Sequence, residues 1–541
     1  MVGLPQALDR TLLQMPHIST PSLIAVPVTL AAWAAVPSRE LDWPVPFPDI
    51  VPHMAGFYRR YLEATIGVDE ADDRRILLLG RRPMQCLALI QFALMTEGAR
   101  AAGQRLTGHE VLDYLADGAS TLPPALQPIG QPIVGSRFMG LRRLARTRSW
   151  TPALRLPRAM FRPDGVALTH NALLRTYLRR APDAVRNAYD IDFDEADGPI
   201  DDAFMQRVDV AALTEYMIGA VTTELPIGDD IQARLQNAVR SVLLDSYRDA
   251  AGLLGRLRAT RRLPHRVYTG TGSKRMSRAL GLEVIRRGGE ATRCDHGGSL
   301  LLLHGPDYMA LNELSVSSRF VVPTPTAAAS PELLAGIRRV ASLVTCSIDS
   351  ADGDPGLDVG AAAFVRSSSD GGRRRAMYVP SVFYGLHQAS PPVLAGPLYL
   401  DWQARLVSML QDMPIDLLCK PHPGGHKPPA ELNPMRNAQV ISAPFEQAVA
   451  DADVLIYDFP ATTTLAVGLC SDRPIVLIDH GTMQFNPSLA DEVAARCTVV
   501  RCTYNDRNLP VVSRSALESA ICDSPVAADP TYFRRLFLGD A

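Results

Sequence analysis

The sequence has no long apolar segment, which argues against a membrane-spanning helix of ordinary length. Its most apolar stretch, residues 22–37, is interrupted by Pro27 and is shorter than the roughly 20 residues that a span requires. The first ten residues lack the basic start and the apolar core of a secretory signal peptide. We therefore expect a cytoplasmic protein, with a position at the inner face of the membrane as an open alternative.

Paired cysteines and a strong net charge are also lacking. The eight cysteines among 541 residues include no Cys-x-x-Cys pair, which is typical of reduced thiols and not of a disulfide framework. The formal net charge is only −2, so no global field attracts nucleic acid, and any anion site has to be local. We expect no nucleic-acid partner and a chain of two or three domains.

The region after residue 373 is a regular alternation of short apolar runs and amphipathic segments. Strands are predicted at 376–379, 415–419, 454–457 and 474–478, and helices at 400–411, 445–450 and 462–469. Helices between strands imply parallel pairing with right-handed crossovers. Residues 373–541 are therefore predicted to form a carboxyl-terminal Rossmann-like α/β domain that binds a nucleotide donor.

The region before it is less regular. Residues 1–325 are predicted to form an amino-terminal Rossmann-like domain on the acceptor side, with strands at 75–79, 266–269 and 291–294. Ala-, Leu- and Arg-rich segments at about 103–263 predict a largely helical insertion. A Pro-, Ala- and Gly-rich stretch at 326–372 predicts the linker.

Two loops at predicted strand ends carry groups that suit a phosphate. The strand at 415–419 ends at Lys420 and at His422, which lies between two prolines, and the strand at 454–457 ends at Asp458. The next helix opens with three hydroxyls, those of Thr462, Thr463 and Thr464. In doubly wound α/β domains ligands bind outside the carboxyl ends of the strands, and a helix amino terminus favours anions.

The roles of two of these residues stay open at this stage. His422 is predicted to contact phosphate, with a loop histidine of structural role as the alternative. Asp458 is expected to hold its loop or a ribose hydroxyl. Ser381 and Tyr384, at the end of the strand at 376–379, are expected to touch the nucleotide.

A third loop, Asp295-His296-Gly297-Gly298, follows the strand at 291–294. A histidine whose pKa is near neutrality can take the proton of an attacking hydroxyl, and flanking glycines allow close approach of a phosphate. His296 is therefore the candidate general base, with acceptor or phosphate binding and a structural role as alternatives. No histidine pair has metal-ligand spacing with an acidic or cysteine partner, so we expect no metal.

An arginine-rich stretch lies inside the predicted insertion. Residues 137–162 contain eight arginines and no acid, with aromatic residues between them. Such a stretch suits an anionic membrane surface or an anionic acceptor, and the alternative is a solvated or internally paired face. The acidic run at 190–202 fails the EF-hand pattern and is expected to be a solvated loop or the partner of the arginines.

The motifs together resemble a known group of transferases. The Lys-Pro-His-Pro segment at 420–423, the Tyr-Asp-Phe-Pro-Ala-Thr-Thr-Thr segment at 457–464 and the strand ending in Tyr-Val-Pro-Ser at 378–381 look like those of CDP-glycerol glycerophosphotransferases. They are also similar to the HP motif and hydroxyl-rich helix start of bacterial sialyltransferases and capsule Kdo transferases. The His-Gly loop at 296–297 fits the same group.

The resemblance implies a GT-B-like enzyme in which two Rossmann-like domains face a cleft. It implies a metal-independent transferase of surface or capsule polysaccharide biosynthesis, with His296 and His422 as catalytic residues. The donor is expected to be a CMP-sugar or CDP-glycerol, a substrate and not a cofactor, and the acceptor a glycan or polyol phosphate. Where the group has paired serines after the aspartate, residues 459–461 read Phe-Pro-Ala, so the hydroxyl donors are shifted.

Two other functions remain open on the sequence. A nucleotide-sugar 2-epimerase shares this fold class, although several acidic groups facing the sugar are expected there. A non-catalytic protein that binds a glycan or nucleotide is the alternative outside enzymes, since the shifted threonines and the lack of a convincing acidic catalytic motif favour it.

Overall fold

The computed structural model describes residues 24–27, 43, 45–80, 83–118, 139–193, 207–271, 274–359, 373–382, 396–423, 428, 430–482, 484–523 and 529–539. Among the predicted site residues, Tyr384 lies outside these ranges, and so do residues 360–372 at the end of the predicted linker.

The strands of the described residues, in chain order, are β1 Ile24–Pro27, β2 Gln104–Thr107, β3 Gly165–Ala167, β4 Val185–Asn187, β5 Arg266–Thr269, β6 Glu290–Cys294, β7 Arg319–Val322, β8 Ser347–Ser350, β9 Arg374–Val379, β10 Ile415–Cys419, β11 Gln439–Val440, β12 Val454–Tyr457, β13 Ile475–Asp479, β14 Cys497–Arg501, β15 Thr503–Tyr504 and β16 Pro510–Val511. The helices are α1 Phe47–Ile66, α2 Ala71–Leu79, α3 Pro83–Ala101, α4 Glu110–Asp117, α5 Met139–Trp150, α6 Leu156–Phe161, α7 Ala172–Arg180, α8 Val210–Glu224, α9 Asp229–Ala259, α10 Arg275–Arg286, α11 Ser299–Leu302, α12 Pro306–Asn312, α13 Pro325–Ala328, α14 Pro331–Val340, α15 Gly396–Gln411, α16 Phe445–Ala448, α17 Thr463–Cys470, α18 Ala490–Arg496, α19 Arg514–Cys522 and α20 Thr531–Leu538.

The first large sheet has six parallel strands in the order β4-β3-β5-β6-β7-β8. Two of its strands, β3 and β4, come from the segment expected to be a helical insertion, and β8 comes from the expected linker. The described residues between 103 and 263 are mainly helical but also build one side of the sheet. The strands of three or four residues were too short to give a periodic signal.

The second large sheet, β11-β10-β9-β12-β13-β14, is also entirely parallel. The strands predicted at 415–419 and 454–457 have the observed bounds, and the other predicted elements of this half agree to within a few residues. The agreement is good because strands such as β12 and β13 are nearly continuous apolar runs buried on both faces, as is usual in parallel sheets. The mixed α/β class with two parallel sheets is thus confirmed.

The strand predicted at 75–79 is wrong, because these residues belong to helix α2. Asp72 and Asp73 lie in the first helical turn, where carboxylates are favourable, and Arg75 pairs with Asp72 three residues away. The apolar run was misread because this helix is buried around most of its circumference. The buried guanidinium of Arg278 in α10 donates to the carbonyl of Leu78 at 2.8 Å, and this hydrogen bond links α2 to α10.

The two sheets are joined through their carboxyl-terminal sides. The backbone N–H of Asn486 donates to Leu302 O at 2.8 Å, which connects the loop after β13 with α11. The last helix, α20, returns to the first half of the chain, where Leu536 O accepts from the hydroxyl of Thr324 and Phe537 O from the N–H of Asp354. In the part of the chain described, none of the helices is long and apolar enough to cross a membrane.

Candidate functional site

The His-Gly-Gly turn follows β6 and is held by a buried carboxylate. Oδ2 of Asp295 accepts from the backbone N–H of Gly298 at 2.7 Å. Gly297 and Gly298 have φ of 74° and 78°, in the left-handed region that favours glycine. His296 lies exposed at the tip of this turn, whereas Asp295 beneath it is fully enclosed. The aspartate therefore positions the turn, and the histidine faces solvent.

Burial raises the pKa of Asp295 to about 7, against the backbone N–H groups of Gly298 and His296, which favour the carboxylate. A second carboxyl group, Asp354, lies after β8 and is also buried. Burial raises the pKa of Asp354 as well, while the hydrogen bond from the Gly356 N–H and then electrostatic interactions with His296 and Arg175 act in the opposite direction. Sequence reasoning missed Asp354, since its segment was assigned to the linker.

Asn171 ties the neighbouring strand ends together. Its side-chain amide donates to the carbonyls of Gly270 at 2.9 Å and Asp295 at 2.7 Å, and its oxygen caps helix α7. The residues that follow β3, β5 and β6 therefore lie side by side. The only sequence signal for this residue was its suitability as a helix cap.

The threonine-led helix α17 begins as predicted from the sequence. Thr462 is its N-cap, and its hydroxyl oxygen accepts from the N–H of Leu465 at 3.2 Å and from the hydroxyl of Thr464 at 3.0 Å. The hydroxyl of buried Tyr457 donates to Thr464 O at 2.8 Å and fixes the first turn. Two of the three threonines thus build the cap, and Thr463 remains as the hydroxyl that faces the other sheet.

The glycine turn and the threonine-led helix are in contact. A β-carbon added at Gly297 would lie only 2.7 Å from Cγ2 of Thr463. One added at Gly298 would lie 3.3 Å from Cβ of Ala466 and 2.7 Å from the ring of Phe537 in α20. The carboxyl end of β6 in one sheet therefore meets the helix that follows β12 in the other, with no room for a side chain at either glycine.

Asp458 is the centre of a buried hydrogen-bond network. Its carboxylate accepts from the hydroxyls of Tyr378 at 2.5 Å and Tyr399 at 3.1 Å, and from the indole N–H of Trp402 at 3.2 Å. The backbone N–H of Ser381 points to the same carboxylate and to the Tyr399 oxygen. Burial raises the pKa of Asp458 to about 6, and the donors only partly offset it.

This network bears on the expected ligand contacts of two residues, Asp458 and Ser381. Asp458 is 1% exposed and its oxygens are already hydrogen-bonded, so of its two expected roles the contacts favour holding the loop. Ser381, 4% exposed, is enclosed beside it. Sequence reasoning placed both at the strand ends correctly, but it had no signal for the aromatic donors that cover them.

Lys420 and His422 share the loop after β10. Lys420 is 7% exposed, and its ammonium donates to Pro421 O at 3.4 Å; burial lowers the pKa of Lys420, against the attraction of Glu446. The pKa of His422 is lowered, first by partial desolvation of its imidazole and then by the charge of Lys420. Since β10 and β12 both flank β9, this loop lies two strands, roughly 10 Å, from the start of α17.

Two cavities of the described residues lie away from this junction. One of about 390 Å³ is lined by Asp73 and Arg207 among helices of the first half. The other, of about 360 Å³, includes Arg266 and Glu290, the first residues of β5 and β6. That is the amino edge of the sheet, opposite to His296.

No group of three or more His, Cys, Asp or Glu side chains is placed to hold a metal ion within the described ranges, and metal independence stays a prediction. Neither a family model nor a curated protein sequence matches this chain.

Proposed function

We propose that the protein is a transferase that uses a nucleotide-activated donor, in a cleft between two Rossmann-like domains of the GT-B kind. The observation that carries the proposal is the contact between Gly297 and Thr463. It joins the carboxyl edges of two parallel sheets, which is where α/β domains bind nucleotides and phosphates. An exposed histidine lies on one side of this junction and a helix amino terminus on the other.

The reaction would be one in-line displacement. An acceptor hydroxyl attacks the donor carbon or phosphorus, and its proton passes to the imidazole of His296. The bond from that atom to the nucleotide phosphate oxygen breaks, and the phosphate leaves with the electron pair. The free N–H groups of α17, the hydroxyl of Thr463 and the charge of Lys420 would stabilise the leaving phosphate, with His422 donating from the neighbouring loop.

The donor side of the proposal is tested by calorimetric titration with CMP, CDP, UDP, GDP and ADP in the presence of EDTA. We expect selective binding of a cytidine nucleotide, at least tenfold weaker in His422→Ala and in Thr463→Val. Thr464→Val is the matched control, since its hydroxyl is used within the cap. Binding of UDP alone would favour a UDP-sugar transferase or the 2-epimerase in place of a cytidine-dependent enzyme.

Catalysis is tested by release of CMP from CMP-sugars, or of CMP from CDP-glycerol, with short glycans and polyol phosphates as acceptors. His296→Ala should abolish turnover while nucleotide affinity stays within twofold of the parent. Nucleotide binding without turnover in the parent, with any of these donors, would instead support the non-catalytic alternative. Assignment to surface polysaccharide synthesis rests on the sequence resemblance alone.

A further inference from the structure

Residues 139–162 expose apolar side chains to an unusual degree. Leu154 is 98% exposed, Phe161 85% and Leu141 67%, and Leu144 is exposed as well. They lie on α5, on the 3-10 turn Ala153–Arg155 and on α6, three consecutive pieces of one surface segment. Elsewhere in the described chain, exposed large apolar residues are scattered singly and are about half exposed at most.

The segment is firmly attached by its other side. The indole N–H of Trp150 and the hydroxyl of Thr151 donate to Val185 O of β4 at 3.0 and 3.2 Å, and Thr147 Oγ1 accepts from Asn187 N at 3.1 Å. Since β4 is the edge strand of the first sheet, α5 covers that edge. Its outward positions, Leu141, Leu144 and Arg148, recur at helical spacing and face away from the protein.

The charges of this surface are of one sign. Residues 139–162 contain no acid. Arg143 forms an ion pair with Asp192 at 2.6 Å, and Arg158 forms one with Asp164 at 2.5 Å. Part of the arginine run is therefore paired within the protein, and Asp192 belongs to the acidic run at 190–202. The exposed guanidinium groups of Arg142, Arg148 and Arg162 have no ion pair with any described residue.

We propose that this arginine-leucine surface, the exposed face of residues 139–162, docks the protein on a membrane that contains anionic phospholipid. Fully exposed leucine and phenylalanine side chains enter the boundary between headgroups and acyl chains, and arginines beside them bind lipid phosphates. A protein partner would fit the apolar side chains equally well, but the unpaired arginines and the absence of any acid favour a uniformly anionic surface.

The position of this surface has a consequence that rests on the proposed function. The ring centroids of Trp150 and His170 are 6.0 Å apart. The next residue, Asn171, donates a hydrogen bond to the carbonyl of Asp295. The arginine-leucine surface thus lies at the β4 edge of the sheet whose β6 carries His296, three strands or roughly 14 Å away. A docked enzyme would present this edge near the membrane, as required for an acceptor that is anchored in lipid.

The test is sedimentation of the full-length protein with vesicles of phosphatidylcholine alone or mixed equally with phosphatidylglycerol. We expect binding to the mixed vesicles only, weakened by salt, and about tenfold weaker for Leu154→Asp/Phe161→Asp. Arg142→Glu/Arg148→Glu should weaken it similarly. Leu334→Asp and Arg501→Glu, exposed at other surfaces, should bind as the parent does.

These side chains are exposed, so unchanged circular dichroism and thermal midpoint will show that the variants are folded. The proposal would be overturned if the parent protein did not bind vesicles that contain phosphatidylglycerol. It would also be overturned if Leu154→Asp/Phe161→Asp bound these vesicles as tightly as the parent does. Self-association of the parent that the aspartates abolish, without vesicle binding, would assign the surface to a second copy of the chain. Because vesicle binding needs no nucleotide, its outcome is independent of the titrations that test the transferase.

Discussion

Gly297 and Thr463 pack directly against each other, although 166 positions separate them in the chain. One belongs to a turn with positive φ at the end of β6, and the other begins the helix after β12. Any β-carbon on the glycine would enter the threonine side chain. This contact is a sensitive place at which to test how the two sheets are joined.

Gly297→Ala is expected to lower the free energy of unfolding by more than about 2 kcal/mol. Alanine at positive φ costs roughly 1–2 kcal/mol by itself, and displacement of Thr463 adds to it. Urea titration measures the change. The matched control is Gly103→Ala, which has a φ of 70° but nothing within 4 Å of an added β-carbon, so it should cost only the backbone term. Equal losses in the two variants would contradict the contact.

Arg496→Lys is expected to destabilise the protein by roughly 2 kcal/mol, because it removes hydrogen bonds from buried carbonyls. The guanidinium donates to four carbonyls at 2.6–3.2 Å around the end of α17, namely those of Gly468, Leu469, Ser471 and Arg473. Lysine is a point donor and cannot reach all of them. Arg501→Lys, at a side chain 85% exposed, should change the urea midpoint little, and an equal change would refute this role.

Asp458 should make the stability depend on pH. Its pKa rises from 3.8 to about 6 on folding, so the folded state favours the protonated form. The contribution of Asp458 to the free energy of unfolding is therefore fully present below the unfolded-state pKa. This contribution, of up to about 3 kcal/mol, is lost as the pH rises through the folded-state pKa of about 6. Asp458→Asn should be less stable at low pH but lack this loss. Parallel stability curves for parent and variant across that range would contradict the assignment.

Nucleotide binding should strengthen as the pH falls if His422 contacts the phosphate. Its pKa is lowered by desolvation and by Lys420, so the free imidazole is mainly neutral at neutral pH, and an anion raises that pKa by favouring the imidazolium. Binding then takes up a proton. Calorimetry in two buffers of different ionisation enthalpy measures this uptake, which His422→Gln should reduce. Equal uptake in the variant would assign the proton to the phosphate or another group.

Much of the second sheet was determined by local sequence. The segments at 415–419 and 454–457 are apolar except for Asp416 and are closely followed by Pro421 and Asp458, so both the strands and their loops were predictable. The start of helix α17 at the three threonines was also predicted, and threonine is a favoured residue at the N-cap position that Thr462 takes. The same reasoning failed at 75–79, where the apolar run lies on a helix buried on most sides.

Only the tertiary structure decided how these pieces meet. The contact of Gly297 with Thr463, the Asn171 bridge and the aromatic cage around Asp458 each join residues remote in the chain, and no local pattern encodes such pairings. The exposure of Leu154 and Phe161 is of the same kind. The sequence determined which segments are strands and which loops carry reactive groups, because periodicity and turn chemistry are local. Which groups are enclosed and which face solvent depends on packing between distant segments.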